Sequence, residues 1–256
     1  MRNALKMEVT LDSICDIKIY QSKAGYRFSV DALLLYDFVN LRSIGAMADL
    51  GSGSGIIGIL TAKKYPEARV DLFELQEGLA NLSERNISIN NLGGRVRVVR
   101  RDIRELPSCH LNKGEYDLVV SNPPFRKPRS GRINMEEERA IARHEIALFL
   151  PDLAAAASRL LGSKGRFCVI YHPGRLAELV DVLKKRDLEP KRLRFVHSST
   201  SSEAKMVLLE AVKGGRTGLK VEPPLFIYSD DGSHTAEMKR IYGRGDNDEC
   251  KIQNDL

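Results

Sequence analysis

A glycine-rich turn between an apolar strand and an apolar helix constrains the fold of this chain more than any other feature. Residues 47–50 (MADL) predict a short buried strand, and residues 56–64 (IIGILTAKK) predict the helix that follows. Between them, Gly51, Gly53 and Gly55 let the backbone turn sharply and let a ligand approach the free N–H groups at the helix start. The sequence therefore predicts a βα unit with a nucleotide-type cleft at its turn.

The spacing of these glycines does not fit two common phosphate-binding loops. In the dinucleotide fingerprint G-x-G-x-x-G, the third glycine would fall one residue later than Gly55. A P-loop would continue into Gly-Lys-Ser/Thr, which does not follow here. Walker-type binding of a phosphate is therefore not expected.

Acidic residues follow the next two predicted strands. Residues 69–74 (RVDLFE) end in Glu74, at the distance from the glycines where an acid of doubly wound folds accepts ribose hydroxyls. On its own, Glu74 could be a plain strand-end carboxylate or the cap of the next helix. After a third strand over residues 95–100, Asp102 could accept the amino group of an adenine, with Ile103 covering the ring. The alternative for Asp102 is a surface acid in an arginine-rich loop.

A stiff loop, residues 121–125 (SNPPF), follows an apolar run at 116–120 (YDLVV) that is typical of a buried parallel strand. Its two prolines cannot continue the strand, so the backbone leaves the sheet in one shape. The acceptors of Asn122 and Pro123 and the ring of Phe125 suit a planar group that bears an NH2. Holding such an amine in line with an electrophile can supply ~7 to 11 kcal/mol. The alternative is a tight turn with Asn122 as its local cap.

The order of elements predicts an α/β fold with a doubly wound, seven-stranded, mostly parallel sheet and an antiparallel C-terminal hairpin. Further elements are expected as a helix over residues 136–161 with a break near Pro151, a strand over 165–172, a helix over 175–186, and strands over 191–197 and 204–212. The expected domains are an N-terminal extension over residues 1–44 that packs on the core, a catalytic domain over 45–215, and a C-terminal extension with a polar tail over 216–256.

The composition fits an ordinary globular protein, with 43% hydrophobic and 29% charged residues in a chain of 256. No apolar run approaches the ~18 residues of a membrane span, and residues 1–11 lack a signal-peptide core. A cytoplasmic protein is therefore expected. The four cysteines lie far apart without a C-x-x-C pair, which indicates free thiols and no metal site.

The charge of +6 and the pI of about 9.1 weakly favour a polyanionic partner. Basic residues cluster at 95–104, at 191–194 and directly after the SNPPF loop, where they are Arg126, Lys127, Arg129 and Arg132. His144 could be a general base, but a methylated amine can also lose its proton to water. The alternative, that Arg143 and His144 support the SNPPF loop or contact phosphate, is at least as well founded as a general-base role. Asp31 lies in the first turn of a predicted helix, where it could cap the helix or face a cofactor.

Taken together, these elements resemble the class I S-adenosylmethionine-dependent methyltransferases. Residues 48–56 (ADLGSGSGI) look like the cofactor loop of that class. The resemblance implies S-adenosylmethionine as cofactor, bound by Asp49, Gly51, Ser52, Gly53, Gly55, Glu74, Asp102, Ile103 and Asn122. It also implies that Asn122, Pro123, Pro124 and Phe125 form the catalytic loop, which binds the amino group of the substrate while it is methylated.

Several segments are similar to the bacterial tRNA1(Val) adenine-N6 methyltransferase family. They are GYRFSVDALLL at 25–35, SNPPF at 121–125, ARHE at 142–145 and PPLFIYSDDGSHTAEMKRIYG at 223–243. The resemblance implies N-methylation of the exocyclic amine of adenine in tRNA. Residues implied in substrate binding are Phe28, Asp31, Arg126, Lys127, Arg129, Arg132, Arg143 and His144.

Three alternatives remain open on the sequence. Many family members have Tyr then Phe after the second proline, whereas here Phe125 precedes Arg126, and N-P-P-F also occurs in guanine-N2 methyltransferases of ribosomal RNA. A glutamine-N5 methyltransferase of release factors would need an N-terminal helical domain, for which about 45 residues before the loop leave no room. A cofactor-binding scaffold without turnover predicts an incomplete amine loop, yet Asn122 and Phe125 are both present.

Overall fold

The computed structural model describes residues 8–23, 30–108, 114–123 and 150–243. Several predicted site residues lie outside these described ranges: Phe28, Pro124, Phe125, Arg126, Lys127, Arg129, Arg132, Arg143 and His144.

The described elements follow the predicted order. The strands are β1 Val9–Ile14, β2 Ile17–Ser22, β3 Ala46–Leu50, β4 Arg69–Phe73, β5 Val96–Val99, β6 Tyr116–Ser121, β7 Leu161–Tyr171, β8 Leu188–His197, β9 Ala204–Lys213, β10 Lys220–Val221 and β11 Leu225–Phe226. The α-helices are α1 Val30–Phe38, α2 Ile56–Lys64, α3 Glu77–Ile89, α4 Leu150–Leu160, α5 Leu176–Lys184 and α6 Ala236–Ile241, with 3-10 helices at Ile103–Ser108 and Pro173–Arg175.

The main sheet has the doubly wound topology expected from the sequence. Its strand order is β10-β8-β9-β7-β6-β3-β4-β5, with β11 also paired to β8. Strands β3 to β7 run parallel to one another, and β9 runs antiparallel between β7 and β8. The predicted seven strands form the body of this sheet, and β10 and β11 add two short pairings beside β8. The chain reverses its direction of travel between β3 and β6, which opens a crevice at their carboxyl ends.

Close packing of α2 on β4 fixes the layer beside the crevice. Strand β3 is buried at every residue, as expected for a central parallel strand with helices on both faces. Gly58 in α2 faces β4, and a Cβ there would lie 2.2 Å from Cδ2 of Leu72 and 3.1 Å from Cγ1 of Val70. The glycine therefore lets the helix approach the sheet more closely than any other residue would.

Two boundaries have local causes. Helix α3 ends at Ile89, because Asn91 adopts a left-handed φ of 57°. Strand β7 begins at Leu161 rather than Gly165. The pairing of β7 with β6 shifts register between Tyr116 and Leu118, so a segment that resembles a turn in sequence stays within the strand as an irregularity.

The flanking segments pack on this core. The β1–β2 hairpin docks on α3, where the side-chain amide of Asn90 accepts from the N–H of Lys18 and donates to its carbonyl. At the other end, Arg240 pairs with Asp37 of α1 at 2.8 Å, and Arg194 of β8 pairs with Glu237 of α6 at 2.8 Å. In the described part of the chain, no helix is long and apolar enough to cross a bilayer.

Candidate active site

The carboxyl ends of β3 and β6 bring the glycine loop and Asn122 side by side. In the parallel register, Asp49 of β3 lies opposite Val120 of β6, so Gly51 and Asn122 leave their strands at the same level. The buried hydroxyl of Ser121 donates to the carbonyl of Leu50 at 2.8 Å and ties the two strand ends together. Asn122 is partly buried. The structure thus brings together the two sequence features expected to share one crevice.

The glycine loop has a conformation that requires its glycines. Gly51, Gly53 and Gly55 have φ values of 72°, 59° and 83°, in the left-handed region that other residues rarely adopt. A Cβ on Gly55 would also lie 2.8 Å from Cδ1 of Leu72. The loop is anchored to β4, because the N–H groups of Gly51 and Ser52 both donate to the carbonyl of Phe73, at 2.9 and 3.0 Å.

Glu74 follows β4 and holds the glycine loop. Its Oε2 accepts from the N–H of Gly53 at 2.9 Å, and its Oε1 accepts from the N–H of Gln76 at 2.8 Å. The second contact fits the alternative of a cap before α3, and the first links the acid to the loop. Only 6% of the residue is exposed, and this burial raises the pKa of its carboxyl. The ribose role remains a prediction.

Asp49 is the second acid at this edge, and only 1% of it is exposed. Its Oδ2 accepts from the N–H of Gly58 at 3.2 Å and so holds the first turn of α2. Burial raises its pKa to about 7, and the nearby charge of Glu74 adds to this shift. Two buried acids beside a loop with backbone N–H groups form a site where a cationic ligand would stabilise the ionised carboxylates.

Comparisons with known proteins agree with this geometry. Residues 29–174 match the family model of the methyltransferase small domain. The chain belongs to this family. The enzyme class expected from the sequence, an S-adenosylmethionine-dependent methyltransferase, is therefore confirmed.

Curated relatives cover nearly the whole methyltransferase. A protein of Porphyromonas gingivalis strain W83, named tRNA1(Val) (adenine(37)-N6)-methyltransferase, is 30% identical over 244 residues, which span 92% of this chain and 94% of the relative. A protein of the same name from Pedobacter heparinus is 27% identical over 93% of this chain and 96% of its own. Among solved structures, a predicted O-methyltransferase from Agrobacterium tumefaciens has a TM-score of 0.67 at 21% identity, covering 83% of this chain and 95% of its own.

The residues at the crevice fit S-adenosylmethionine, the cofactor of the class. This molecule carries an ammonium and a sulfonium group beside a ribose diol, groups that carboxylates such as those of Asp49 and Glu74 can bind. Among the described residues, the hydroxyl oxygens of Ser52 and Ser54 are buried and have no hydrogen-bond partner. Buried polar atoms normally find partners, so these two hydroxyls provide capacity for a polar ligand at the loop. The individual contacts stay predictions.

Asp102 and Ile103 lie in a different environment from the other predicted cofactor residues. The Asp102 carboxylate accepts from the backbone N–H of Arg104 at 2.9 Å and pairs with its guanidinium, which holds the pKa of Asp102 below its usual range. These contacts fit the alternative of an acid in an arginine-rich loop. Ile103 packs into the core with 6% exposed. Contact of these two residues with adenine remains a prediction.

Further candidate site residues are visible only in the structure. Leu75, directly after Glu74 and beyond the end of β4, is 51% exposed and offers an apolar surface. Ser83 and Asn86 of α3 are fully buried and donate to the carbonyls of Gly53 and Ser54. The spacing of Ser83 and Asn86 could have indicated a contact with the loop. Polar residues three positions apart lie on one face of a helix, and on a buried face they need hydrogen-bond partners.

Asp31, a predicted substrate-binding residue, lies in the first turn of α1 with 5% exposed. A carboxylate in that turn is stabilised by the helix dipole, which fits the capping alternative. Its contact with substrate or cofactor stays a prediction.

In two of the basic clusters, several arginines pair with carboxylates of the protein itself. In the first, Arg97 binds both oxygens of Asp71, and Arg104 pairs with Asp102. In the other, Arg192 lies near Glu210 and Glu222, and Arg194 pairs with Glu237. Clustering in sequence therefore overstates the positive surface that these segments offer to a polyanion. No group of His, Cys, Asp and Glu suited to a metal ion occurs among the described residues.

Proposed function

We propose that this methyltransferase transfers a methyl group from S-adenosylmethionine to the exocyclic N6 amine of an adenine in tRNA. The proposal is supported chiefly by the position of Asn122 next to Gly51, at the carboxyl ends of two adjacent strands. This position follows from the register of β3 and β6 and from the hydrogen bond that Ser121 donates to Leu50. The names of the relatives from Porphyromonas gingivalis and Pedobacter heparinus support the choice of tRNA and adenine.

Asn122 and Pro123 orient the amine. The exocyclic nitrogen of adenine is a poor nucleophile, because its lone pair is delocalised into the ring. The side-chain oxygen of Asn122 and the carbonyl of Pro123 accept its two hydrogens and favour the pyramidal form. When bound, S-adenosylmethionine supplies an electrophilic methyl group. The methylated nitrogen then loses a proton to water, so no protein base is required.

Phe125 stacks on the face of the adenine, and Pro124 stiffens the loop that carries it. The target base leaves its own stack to reach the crevice, at a cost of a few kcal/mol that the pocket contacts offset. Phosphate contacts fall to the basic residues after the loop, Arg126, Lys127, Arg129 and Arg132, with Arg143, His144, Phe28 and Asp31 as the other substrate-binding residues.

The test is an activity assay of Asn122→Ala with labelled cofactor and total tRNA. We expect methylation to be lost, while affinity for S-adenosylhomocysteine by calorimetry stays within about threefold of wild type, since the variant removes an acceptor of the amine. Glu67→Ala provides a control, because Glu67 is exposed in the turn before β4, at the opposite edge of the sheet. Full activity of Asn122→Ala would overturn the mechanism.

The same assay separates the substrates. Wild-type enzyme is incubated with total tRNA, ribosomal RNA or release factor, and the modified nucleosides are identified by mass spectrometry. N6-methyladenosine in tRNA is the expected product, with adenine 37 of tRNA1(Val), for which the relatives are named, as the first position to map. N2-methylguanosine in ribosomal RNA or label on protein alone would replace the proposed substrate with one of the alternatives.

A further inference from the structure

Three buried polar side chains face the same way along α3: those of Ser83 and Asn86 within the helix and of Asn90 directly after it, with exposures of 0%, 0% and 6%. Their spacing places them in one row along the helix. The row lies between two parts of the chain that are far apart in sequence, namely the N-terminal hairpin of β1 and β2 and the glycine loop. Buried amides of this kind persist only where each donor and acceptor finds a partner.

The amide of Asn86 joins the hairpin directly to the loop. Its nitrogen Nδ2 donates one hydrogen to the carbonyl of Ser54 at 2.9 Å and the other to the carbonyl of Tyr20 at 3.1 Å. Its Oδ1 accepts from the N–H of Tyr20 at 2.6 Å. Both donated hydrogens and the oxygen are therefore engaged, and the side chain imitates a peptide group in its pairing with β2.

Gly53 in the loop is held through both its carbonyl and its N–H. The carbonyl of Gly53 accepts from the hydroxyl of Ser83 at 2.8 Å, and the N–H of Gly53 donates to Glu74 at 2.9 Å. The carbonyl of Ser54 is the next along the chain, and Asn86 holds it. Two consecutive carbonyls of the loop thus point toward α3. A change in the left-handed backbone conformation of the loop glycines would break these bonds.

We propose that Asn86 is a positioning residue of the cofactor loop and that, through Asn86, the hairpin of residues 8–23 supports the conformation of this loop. The proposal rests on the assignment of the glycine loop to the cofactor in the proposed function. It requires an amide at position 86, because a carboxylate would face the carbonyls of Ser54 and Tyr20 with no hydrogen to donate. Asn90 contacts only the hairpin and its own helix, so it docks the hairpin without touching the loop.

The experiment compares Asn86→Ala with Asn90→Ala in the full chain, without RNA. Calorimetry measures affinity for S-adenosylhomocysteine, and hydrogen–deuterium exchange measures protection of residues 51–58 in the unliganded protein. We expect Asn86→Ala to weaken affinity about tenfold, the effect of one lost hydrogen bond that matters to binding, and to speed exchange of the loop. Asn90→Ala should lower the melting temperature but keep affinity within about threefold and leave loop exchange unchanged.

Equal losses of affinity in both variants would show that only hairpin docking matters and would overturn the role of Asn86. Unchanged affinity and exchange in a folded Asn86→Ala would also overturn it. If Asn86→Ala does not fold, Asn86→Ser, which keeps one donor in a smaller side chain, replaces it under the same criteria. The readouts are independent of the substrate, because neither uses RNA. If tRNA proves not to be methylated, faster loop exchange in the Asn86 variant still supports this inference.

Discussion

Ser121 donates its hydroxyl to the carbonyl of Leu50 at 2.8 Å, so a single side chain closes the gap between the strand that enters the glycine loop and the strand that leads to Asn122. Both residues are fully buried. Because the proposed cofactor loop and the proposed amine-binding residues follow different strands, their separation depends on this bond and on the backbone pairing of β3 with β6.

Ser121→Ala should therefore reduce turnover more than cofactor affinity. Loss of the bond leaves the Leu50 carbonyl without this buried donor, which should lower the free energy of unfolding by about 1 to 3 kcal/mol. A shift of even ~1 Å between reacting groups can lower rate by about a hundredfold. Steady-state kinetics and denaturant titration measure the two effects. A variant with normal kcat despite the stability loss would contradict the positioning role.

Glu74→Gln should weaken cofactor binding by about tenfold or more, because the amide supplies one acceptor oxygen where the carboxylate supplies two and removes the charge. Calorimetry with S-adenosylhomocysteine gives the affinity. Glu77→Gln is the matched control, since Glu77 is exposed three residues later in the first turn of α3. Similar affinities for the two variants would exclude Glu74 from the cofactor site.

Leu75→Ser should weaken cofactor binding by about threefold to tenfold and leave stability almost unchanged, since a leucine that is 51% exposed contributes little to the core. Leu219 provides a close control because it is 45% exposed directly before β10, at the edge of the sheet remote from β4. Leu219→Ser should leave affinity at the wild-type value. The prediction fails if both variants bind the cofactor as tightly as wild type.

The pH dependence of stability should reveal the buried Asp49. Burial raises its pKa in the folded protein to about 7, whereas in the unfolded chain an aspartate titrates near ~3.9. Between these values the unfolded chain has released the proton and the folded protein still holds it. The free energy of unfolding should thus fall as pH rises from about 4 to 7 and stay level above, as far as this group is concerned.

Urea titrations at several pH values in this range measure the effect for wild type and Asp49→Asn. The asparagine keeps an oxygen for the N–H of Gly58 but has no proton to release, so the fall should be smaller in the variant. Glu74, whose pKa is also raised by burial, adds a fall of the same sign in both proteins. Identical pH profiles would rule out Asp49 as a buried titrating group.

Elements built on local periodicity were predictable from the sequence. Helix α2 was expected at residues 56–64 and lies at Ile56–Lys64, since an apolar run after glycines has few alternatives. The parallel order of β3, β4, β5 and β6 followed from the alternation of strands and helices. The start of β7 did not, because Gly162 and Gly165 read as a turn and only the pairing with β6 keeps them in the strand.

The strand-end positions of the candidate site residues were predictable from the sequence, but their contacts were not. Asp49, Glu74 and Asn122 lie at the expected strand ends, yet the bonds of the acids to Gly58 and Gly53 depend on how the loop folds back. The same holds for charge. Arg97 and Arg194 stand in basic clusters of the sequence, and their carboxylate partners are 26 and 43 residues away. Pairing at such separations is a property of the tertiary structure.

The close packing of Gly58 against Leu72 limits how the enzyme can be redesigned. A Cβ added to Gly58 would lie 2.2 Å from Cδ2 of Leu72, so α2 leaves no space between its first turns and the sheet for a larger side chain at this position. The glycine loop leads directly into this tightly packed part of the helix. Variants intended to accept bulkier sulfonium donors should therefore change exposed residues such as Leu75 and keep the packing of Gly58 against Leu72.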